Sequence, residues 1–209
     1  AVTGVQTCAL PICGVVVGED LGVVPAYVSK SLSEHGILGC AVEWFEQFDG
    51  VFRAPKDWRP YALASVNTHD LPPAAGYLEY EHVKLREQLG LLSGPVEEFK
   101  KSAEAEHNAM LNMLVKEGYL DADVLEDELA NENEIIDALY RGLKGSPCKL
   151  MAASIVDAVG EKRTQNQPGT CNEYPNWRIP LADGDGNVVP LEELFGNTRL
   201  QEIAAIMHG

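Results

Sequence analysis

The sequence has few basic residues and no long apolar run, and each shortage argues against a class of function. Lys and Arg number 16 against 32 Asp and Glu, which gives a formal net charge of −16. Nucleic acids and anionic membrane surfaces attract basic patches, so neither is an expected partner. No apolar run approaches the ~20 residues that a membrane-spanning helix needs. This composition suits a cytoplasmic enzyme that acts on a neutral substrate.

Cysteine is also sparse, and its spacing predicts neither a disulfide framework nor a zinc site. The cysteines are odd in number and scattered, without a CxxC pair. They are Cys8, Cys13, Cys40, Cys148 and Cys171. We expect reduced thiols. The turn-like string at 183–187 departs from a calcium loop, because Val188 and Leu194 stand where an EF-hand needs glycine and an acidic residue. No metal site is therefore predicted.

The first residues are not expected to belong to the fold. Residues 2–12 read VTGVQTCALPI, which resembles the in-frame translation of a sequencing-library adapter. They make a poor signal peptide, because the stretch has no basic start and Pro11 breaks its short apolar part. We expect residues 1–13 to be a non-native tail that packs on nothing, with the gene cut on that side. A natural disordered tail is the alternative.

From Gly14 to residue 209 the pattern predicts an α/β protein with a sizeable core, since 45% of the residues are hydrophobic. Short apolar runs typical of buried strands alternate with polar loops and a short amphipathic helix. The predicted strands are 15–17, 40–45, 63–66 and 149–156, and the short helix contains Tyr27, Val28 and Leu32. Strand, polar loop, helix and strand in succession is the pattern of a β/α barrel.

A different pattern occupies residues 76–145. Two helical stripes of apolar residues are separated by Glu and Lys, and we interpret both stripes as core. The first contains Val96, Phe99, Ala103, Met110 and Leu114, and the second contains Leu125, Leu129, Ile136, Leu139 and Leu143. The acidic clusters at 126–128 and 132–134 are interpreted as a solvated face. The segment is predicted to be a helical subdomain inserted between two strands, and residues 198–207 are predicted to form a terminal helix.

Two acidic residues fall just after predicted strands, where a β/α barrel carries its chemistry. Glu19 lies two residues after Val17, and Asp70 lies four residues after Val66. Carboxyl groups from neighbouring strands can flank one glycosidic bond. Position alone leaves the alternatives open, since such residues are often surface charges or helix caps. Asp20 is interpreted as a helix cap of this kind.

Three short motifs follow one another along the chain. Residues 18–22 read GEDLG, residues 67–72 read NTHDLP, and residues 166–178 read NQPGTCNEYPNWR. In order and spacing they resemble the motifs of glycoside hydrolase family 77, the amylomaltases or disproportionating enzymes. The block at 168–178 is the most specific part of this resemblance.

The resemblance implies that the chain supplies the second half of a (β/α)8 TIM barrel with helical insertions. It also implies a 4-alpha-glucanotransferase, which transfers α-1,4-glucan segments with retention of configuration and without a cofactor. Its partners would be maltodextrins and a glucose acceptor.

The resemblance implies a role for each matching residue. Glu19 is expected to be the general acid/base, and Asp70 is expected to stabilise the oxocarbenium-like sugar. His69 is expected to bind the same sugar, and Asn166, in the loop after the last predicted strand, is expected to contact glucan. The family also uses an aspartate nucleophile on an earlier strand, and nothing in this sequence matches that motif. The chain alone is therefore expected to be inactive.

Three other interpretations remain. An α-amylase-type hydrolase also uses a strand-end Glu and a later His-Asp pair, although the rest of the GEDLG motif and the block at 168–178 favour the transferase. A non-catalytic maltodextrin-binding fragment is the second, and a truncated reading frame that is never made as such is the third. Trp44 and Trp58 are interpreted as core residues rather than sugar-stacking residues, and Trp177 is left between the two roles.

Overall fold

The computed structural model describes residues 14–208, so the adapter-like residues 1–13 lie outside the described residues. The strands are β1 (Gly39–Val42), β2 (Gln47–Phe48), β3 (Val51–Phe52), β4 (Ala62–Ser65) and β5 (Leu150–Ala152). The helices are α1 (Ala26–Glu34), α2 (Ala74–Leu78), α3 (Glu81–Gln88), α4 (Val96–Lys116), α5 (Glu132–Gly145), α6 (Ile155–Val159), α7 (Leu191–Leu194) and α8 (Thr198–His208). Short 3₁₀ turns cover Glu43–Phe45, Pro55–Asp57 and Ala122–Glu126. This mixture of parallel strands and helices is an α/β fold.

A parallel sheet forms the centre of the described structure, with the strand order β1-β4-β5. Its register pairs Val42 with Ser65 and Ser65 with Ala152. Val17 forms a parallel bridge to Leu38, just before β1, so a fourth segment continues the sheet in chain order. The carboxyl ends of all four segments therefore point the same way, which brings the loops that follow them to one side of the sheet.

Three predicted strands are longer than the observed ones. The run at 15–17 is reduced to the bridge at Val17, and Val15 is 65% exposed, because the described chain pairs with this run on one side only. The strand predicted over 40–45 ends at Val42, where a 3₁₀ turn begins. The strand predicted over 149–156 ends at Ala152, and its last residues begin α6. A short apolar run does not distinguish a buried strand from a buried helix.

Helices α2 to α5 fill the chain between β4 and β5. The first predicted stripe lies on α4, where Met110 and Leu114 are fully buried. The second stripe begins later than predicted, because Leu129 is 74% exposed and the buried face of α5 starts at Ile135. Burying one such aliphatic side chain contributes about 1.5–3 kcal/mol, so these faces account for much of the stability.

The core joins β4, α2, α4 and α5 into one cluster, to which α8 adds Ile203. In the acidic clusters interpreted as a solvated face, Glu128 is partly exposed and also lies 2.7 Å from the buried imidazole Nε2 of His107. The described cysteines, Cys40, Cys148 and Cys171, are free thiols. None of the helices described in residues 14–208 is long and apolar enough to cross a membrane.

Candidate active site

The loop between β4 and α2 is anchored at both ends to one buried carboxylate. The side-chain Nδ2 of Asn67 lies 2.8 Å from each oxygen of Asp157. The backbone N–H of Ala74, the first residue of α2, donates to Asp157 Oδ1 at 2.7 Å. Since Asn67 lies near the start of this loop and Ala74 directly follows it, Asp157 sets the span over which His69 and Asp70 are held.

Asp157 is 1% exposed, and no cation is among the groups that shift the pKa of its carboxyl group. Burial raises the pKa of its carboxyl group, although hydrogen bonds from Ala74, Tyr140 and Asn67 oppose the shift. The hydroxyl of Tyr140 donates to Oδ2 at 2.7 Å and itself accepts from the backbone N–H of Ser154 at 3.0 Å. The sequence analysis did not identify Asp157. An acidic residue inside an apolar run was the only signal available.

Three of the four predicted site residues meet just beyond this anchor. Asn166 Nδ2 donates to Asp70 Oδ1 at 2.6 Å, and its backbone N–H donates to the carbonyl of His69 at 3.0 Å. His69 Nε2 lies 3.4 Å from the same Asp70 oxygen. The side chains of His69 and Asp70 are 45% and 38% exposed, so this cluster faces solvent. A carboxylate, an imidazole and an amide are thus presented together, a set that can hydrogen-bond adjacent hydroxyls of a polyol.

The loop that supplies Asn166 is closed by its own side chains. The hydroxyl of Tyr174 donates to the carbonyl of Thr164 at 2.7 Å. The Oδ1 atom of Asn176 accepts from the backbone N–H of Gln167 at 2.8 Å. These bonds tie residues 164–167 to residues 174–176, and the next residue, Trp177, projects to solvent with 65% exposure.

Glu19, the fourth predicted residue, lies on the outermost parallel segment of the described sheet. It follows Gly18, whose backbone N–H donates to Leu38 at 2.7 Å, and its side chain is exposed. Within residues 14–208 no hydrogen bond or ion pair joins Glu19 to Asp70, and strand β1 lies between their two segments. That the two carboxyl groups face one cleft remains a prediction.

The interpretation of Asp20 as a helix cap is wrong. Helix α1 begins after Pro25 and has no side-chain cap. The carboxylate of Asp20, with 1% side-chain exposure, instead accepts from Arg59 at 2.6 and 2.7 Å and from the backbone N–H of Cys40 at 2.8 Å. It also accepts from the hydroxyl of Ser29 on α1 at 3.2 Å, but the donors that satisfy it, including a cation, are side chains and the N–H of Cys40 rather than the free backbone N–H groups of a helix end.

The charge of Asp20 is stabilised by this arrangement. Burial opposes ionisation, but the hydrogen bonds and charge of Arg59 outweigh it and hold the pKa of Asp20 below its usual value. Arg59 reaches Asp20 by crossing β1 at Gly39, where a Cβ atom would lie 2.6 Å from Arg59 Nη1. The absence of a side chain at Gly39 therefore permits the ion pair that fixes the residue next to Glu19.

Two cavities flank the loop that carries Asp70. One of about 470 Å³ lies on the side of α3 and α4 and is lined by Asp70, Trp44, Tyr77 and Gln167, among others. The other, of about 280 Å³, lies at the carboxyl ends of β4 and β5. The first falls within the ~300–1,000 Å³ that is typical of ligand sites.

The tryptophans divide between core and surface. Trp44 is 4% exposed and stacks on Tyr77 with ring centroids 3.9 Å apart, and Trp58 is 2% exposed. Both are core residues, as predicted. Across residues 14–208, no three His, Cys, Asp or Glu side chains are grouped so that they could hold a metal ion.

Comparison with protein families gives one match to most of the chain. Residues 10–184 match the model of a family described as 4-alpha-glucanotransferase, glycoside hydrolase family 77. The 4-alpha-glucanotransferase of Mycobacterium tuberculosis is 47% identical over 195 residues, which cover 91% of this chain and 26% of that protein. The chain thus spans about a quarter of the length of this curated relative.

Solved structures give the same result. The amylomaltase of Corynebacterium glutamicum superposes with a TM-score of 0.85 at 38% identity, covering 93% of this chain and 29% of that one. An amylomaltase of Streptococcus agalactiae, solved in complex with acarbose, superposes with a TM-score of 0.51 at 17% identity, covering 91% and 30% of the two chains. At that identity the second match bears on the fold alone.

Proposed function

Because the chain belongs to the 4-alpha-glucanotransferase family, glycoside hydrolase family 77, we propose that it forms part of an enzyme that transfers α-1,4-glucan segments between maltodextrins. The observation that carries the proposal is the cluster of Asp70, His69 and Asn166, which the motifs predicted and which hydrogen bonds join. Transfer proceeds with retention through two displacements, with maltodextrins as donors and a maltodextrin or glucose as acceptor. The enzyme acts in the cytoplasm.

Asp70 acts electrostatically in this proposal. Positive charge develops on the sugar as the glycosidic bond breaks, and a fixed carboxylate stabilises that charge more than it stabilises the neutral ground state. The hydrogen bond from Asn166 holds one carboxylate oxygen, which leaves the other free for sugar hydroxyls. His69 adds a further hydrogen bond to the same sugar.

Glu19 is the general acid/base. It protonates the leaving glycosidic oxygen and later removes the proton from the incoming 4-hydroxyl, a role typically worth ~10²–10⁴ in rate. Its exposure and its position after a parallel segment support this role. The Asp20–Arg59 ion pair restricts the backbone beside it.

The four parallel segments in chain order support the second half of a (β/α)8 barrel, with the helices at 76–145 as a subdomain inserted between β4 and β5. The family's aspartate nucleophile belongs to an earlier strand, and no motif in this chain supplies it. In this proposal the nucleophile comes from outside this sequence, and the 209-residue chain alone is expected to show no turnover.

A chimera tests the proposal. Residues 14–208 replace the matching quarter of the Mycobacterium tuberculosis enzyme, and the product is incubated with maltotriose. A folded chimera that forms glucose together with longer maltodextrins supports the proposal. A chimera that melts cooperatively but forms neither product refutes it, and net release of reducing ends without transfer indicates a hydrolase.

The acid/base role is tested in the same chimera. Glu19→Gln keeps the size of the side chain but cannot donate the proton, so transfer should fall by at least ~10². Glu34→Gln changes an exposed carboxyl on α1 and is the matched control. Equal rates for the Glu19→Gln chimera and its parent would remove Glu19 from the mechanism.

A further inference from the structure

Trp177 combines two features that are each unusual for a tryptophan on a protein surface. Its side chain is 65% exposed, and its backbone has a positive φ of 61°. Non-glycine residues rarely adopt this left-handed region, because the Cβ atom crowds the backbone. Burial of the indole ring does not offset that conformational cost, since most of the ring contacts solvent.

The surrounding loop nevertheless holds this conformation firmly. The backbone N–H of Trp177 donates to the carbonyl of Gln165 at 2.9 Å. The preceding residue, Asn176, accepts from Gln167 at 2.8 Å and donates to Thr170 Oγ1 at 2.8 Å. Strained residues persist where the surrounding bonds over-determine them, and such residues cluster at ligand sites. The loop is therefore built so that Trp177 stays exposed.

The exposed ring lies beside the predicted site residues. Its centroid is 4.9 Å from that of the His69 imidazole, with the planes inclined by 40°. His69 Nε2 in turn lies 3.4 Å from Asp70 Oδ1. The ring, the imidazole and the carboxylate thus form one continuous, solvent-facing rim.

We propose that Trp177 is a glucan-binding residue, on which a pyranose ring next to the one held by Asp70 packs its apolar C–H face. This inference rests on the proposed function, which supplies the substrate class. A tryptophan offers a large, amphipathic surface, and its rigid side chain loses little conformational entropy when a ligand binds. Such a surface suits a ligand with apolar faces and polar edges. Trp44 and Trp58 cannot take this role, because they are 4% and 2% exposed.

The tryptophan distribution makes the test direct. In the 209-residue chain, acrylamide should quench Trp177, which is 65% exposed, far more than the two buried tryptophans. Titration with maltoheptaose should protect Trp177 from quenching and shift its emission to shorter wavelength. Variants without Trp177 lose this fluorescence signal, so their affinity for maltoheptaose is measured by isothermal titration calorimetry.

Two substitutions separate the ring from the fold. Trp177→Gly removes the ring and suits the positive φ, so the fold should persist by circular dichroism. Maltoheptaose affinity should fall about 3- to 10-fold, the loss expected for one aromatic contact. Trp177→Phe keeps an aromatic ring and should therefore retain part of the maltoheptaose affinity that Trp177→Gly loses. Phe195→Ala removes another exposed aromatic ring, outside the loop at 164–178, and should leave affinity unchanged.

Each outcome decides the inference. Weakened binding by Trp177→Gly, with normal binding by Phe195→Ala, supports it. Unchanged affinity of Trp177→Gly overturns it and leaves the proposed function standing. A parent chain that does not bind maltoheptaose also overturns it, and the chimera's transfer rate then decides the proposed function separately.

Discussion

Asp20 and Asp157 each attach one loop of the candidate site to the fold, but their partners differ. Asp20 holds the loop of Glu19 and is paired with the guanidinium of Arg59. Asp157 holds the loop of Asp70 and has only neutral donors. The pKa of Asp20 is lowered and that of Asp157 is raised. A counter-charge therefore compensates burial where donors alone do not.

Glu43 extends this comparison to a carboxyl group with neither kind of partner. Its side chain is 0% exposed, and neither oxygen has a hydrogen-bond partner in the described structure. Burial, followed by the nearby charge of Glu46, raises its pKa to about 8. The pKa is thus raised in the two buried acids that lack a cation, Asp157 and Glu43, and lowered in Asp20, which is paired with Arg59.

The largest effect is expected from Asp157→Ala. It leaves the donors of Asn67, Ala74 and Tyr140 unsatisfied in the interior, and each such group costs about 1–3 kcal/mol. We expect the free energy of unfolding to fall by about 3–5 kcal/mol, measured by urea denaturation followed by circular dichroism. Tyr140→Phe keeps the carboxylate and should cost about 1–2 kcal/mol. An Asp157→Ala effect no larger than that of Tyr140→Phe would contradict the anchoring role.

The next effect concerns Glu43 and depends on pH. Its pKa rises from 4.5 in the unfolded chain to about 8 in the fold, so the unfolded state loses its proton first as pH rises. Stability should therefore decline between those two pH values, by a few kcal/mol, since one pKa unit corresponds to about 1.4 kcal/mol. Glu43→Gln should remove most of this slope. Urea midpoints at pH 5, 6, 7 and 8 provide the measurement, and identical slopes for both proteins would exclude Glu43 as the cause.

A smaller effect of opposite sign is expected at Asp20. Its lowered pKa means that its contribution is present above 3.8 and is lost as pH falls through the folded-state value. Asp20→Asn should cost about 1.5–3 kcal/mol at pH 7, the range for hydrogen bonds to a charged group, and should flatten the acid side of the stability profile. Thermal melts at pH 7 and pH 3 measure both. A variant whose deficit is equal at the two pH values would show that the charge is unimportant.

The smallest effect is expected from Gly39→Ala, which acts on the same ion pair from the other side of β1. The added Cβ displaces the Arg59 side chain, whose flexible end can move, so the cost should be about 1 kcal/mol or less. In a double-mutant cycle with Asp20→Asn the two costs should not add, because both remove one contact. Additive costs would mean that Gly39 and Asp20 act independently.

The sequence predicted those helices and strands that are marked by the spacing of apolar residues within a short stretch of chain. Helix α4 agrees with its apolar stripe, α8 extends one residue beyond the predicted 198–207, and the motif at 67–72 lies in the loop after a parallel strand, as the barrel pattern requires. The meeting of Asp70 with Asn166, 96 positions apart, followed from the resemblance rather than from any pattern in the residues themselves.

The anchors of the site were not predictable in this way. Asn67 and Asp157 are separated by 90 positions, and Asp20 and Arg59 by 39. Pairing at such separations depends on which strands lie side by side in the sheet. The spacing of apolar residues along the chain does not specify that order. Glu43 was placed in a predicted strand, and the 3₁₀ turn that carries it into the core has no distinct sequence signal.

In the parallel sheet, β4 is paired along its length with β1 on one side and β5 on the other, whereas the segment at Val17 has one neighbour among the described residues. Amide protons in β4 should consequently exchange with solvent only through near-global opening, while those around Gly18 should exchange through local fraying. We therefore expect the half of the candidate site that bears Asp70 to follow a slowly opening strand, and the half that bears Glu19 to follow a segment that opens faster. If a glucan contacts both the Glu19 half and the Asp70 half, its binding should be detected first as slower amide hydrogen exchange at residues 16–18.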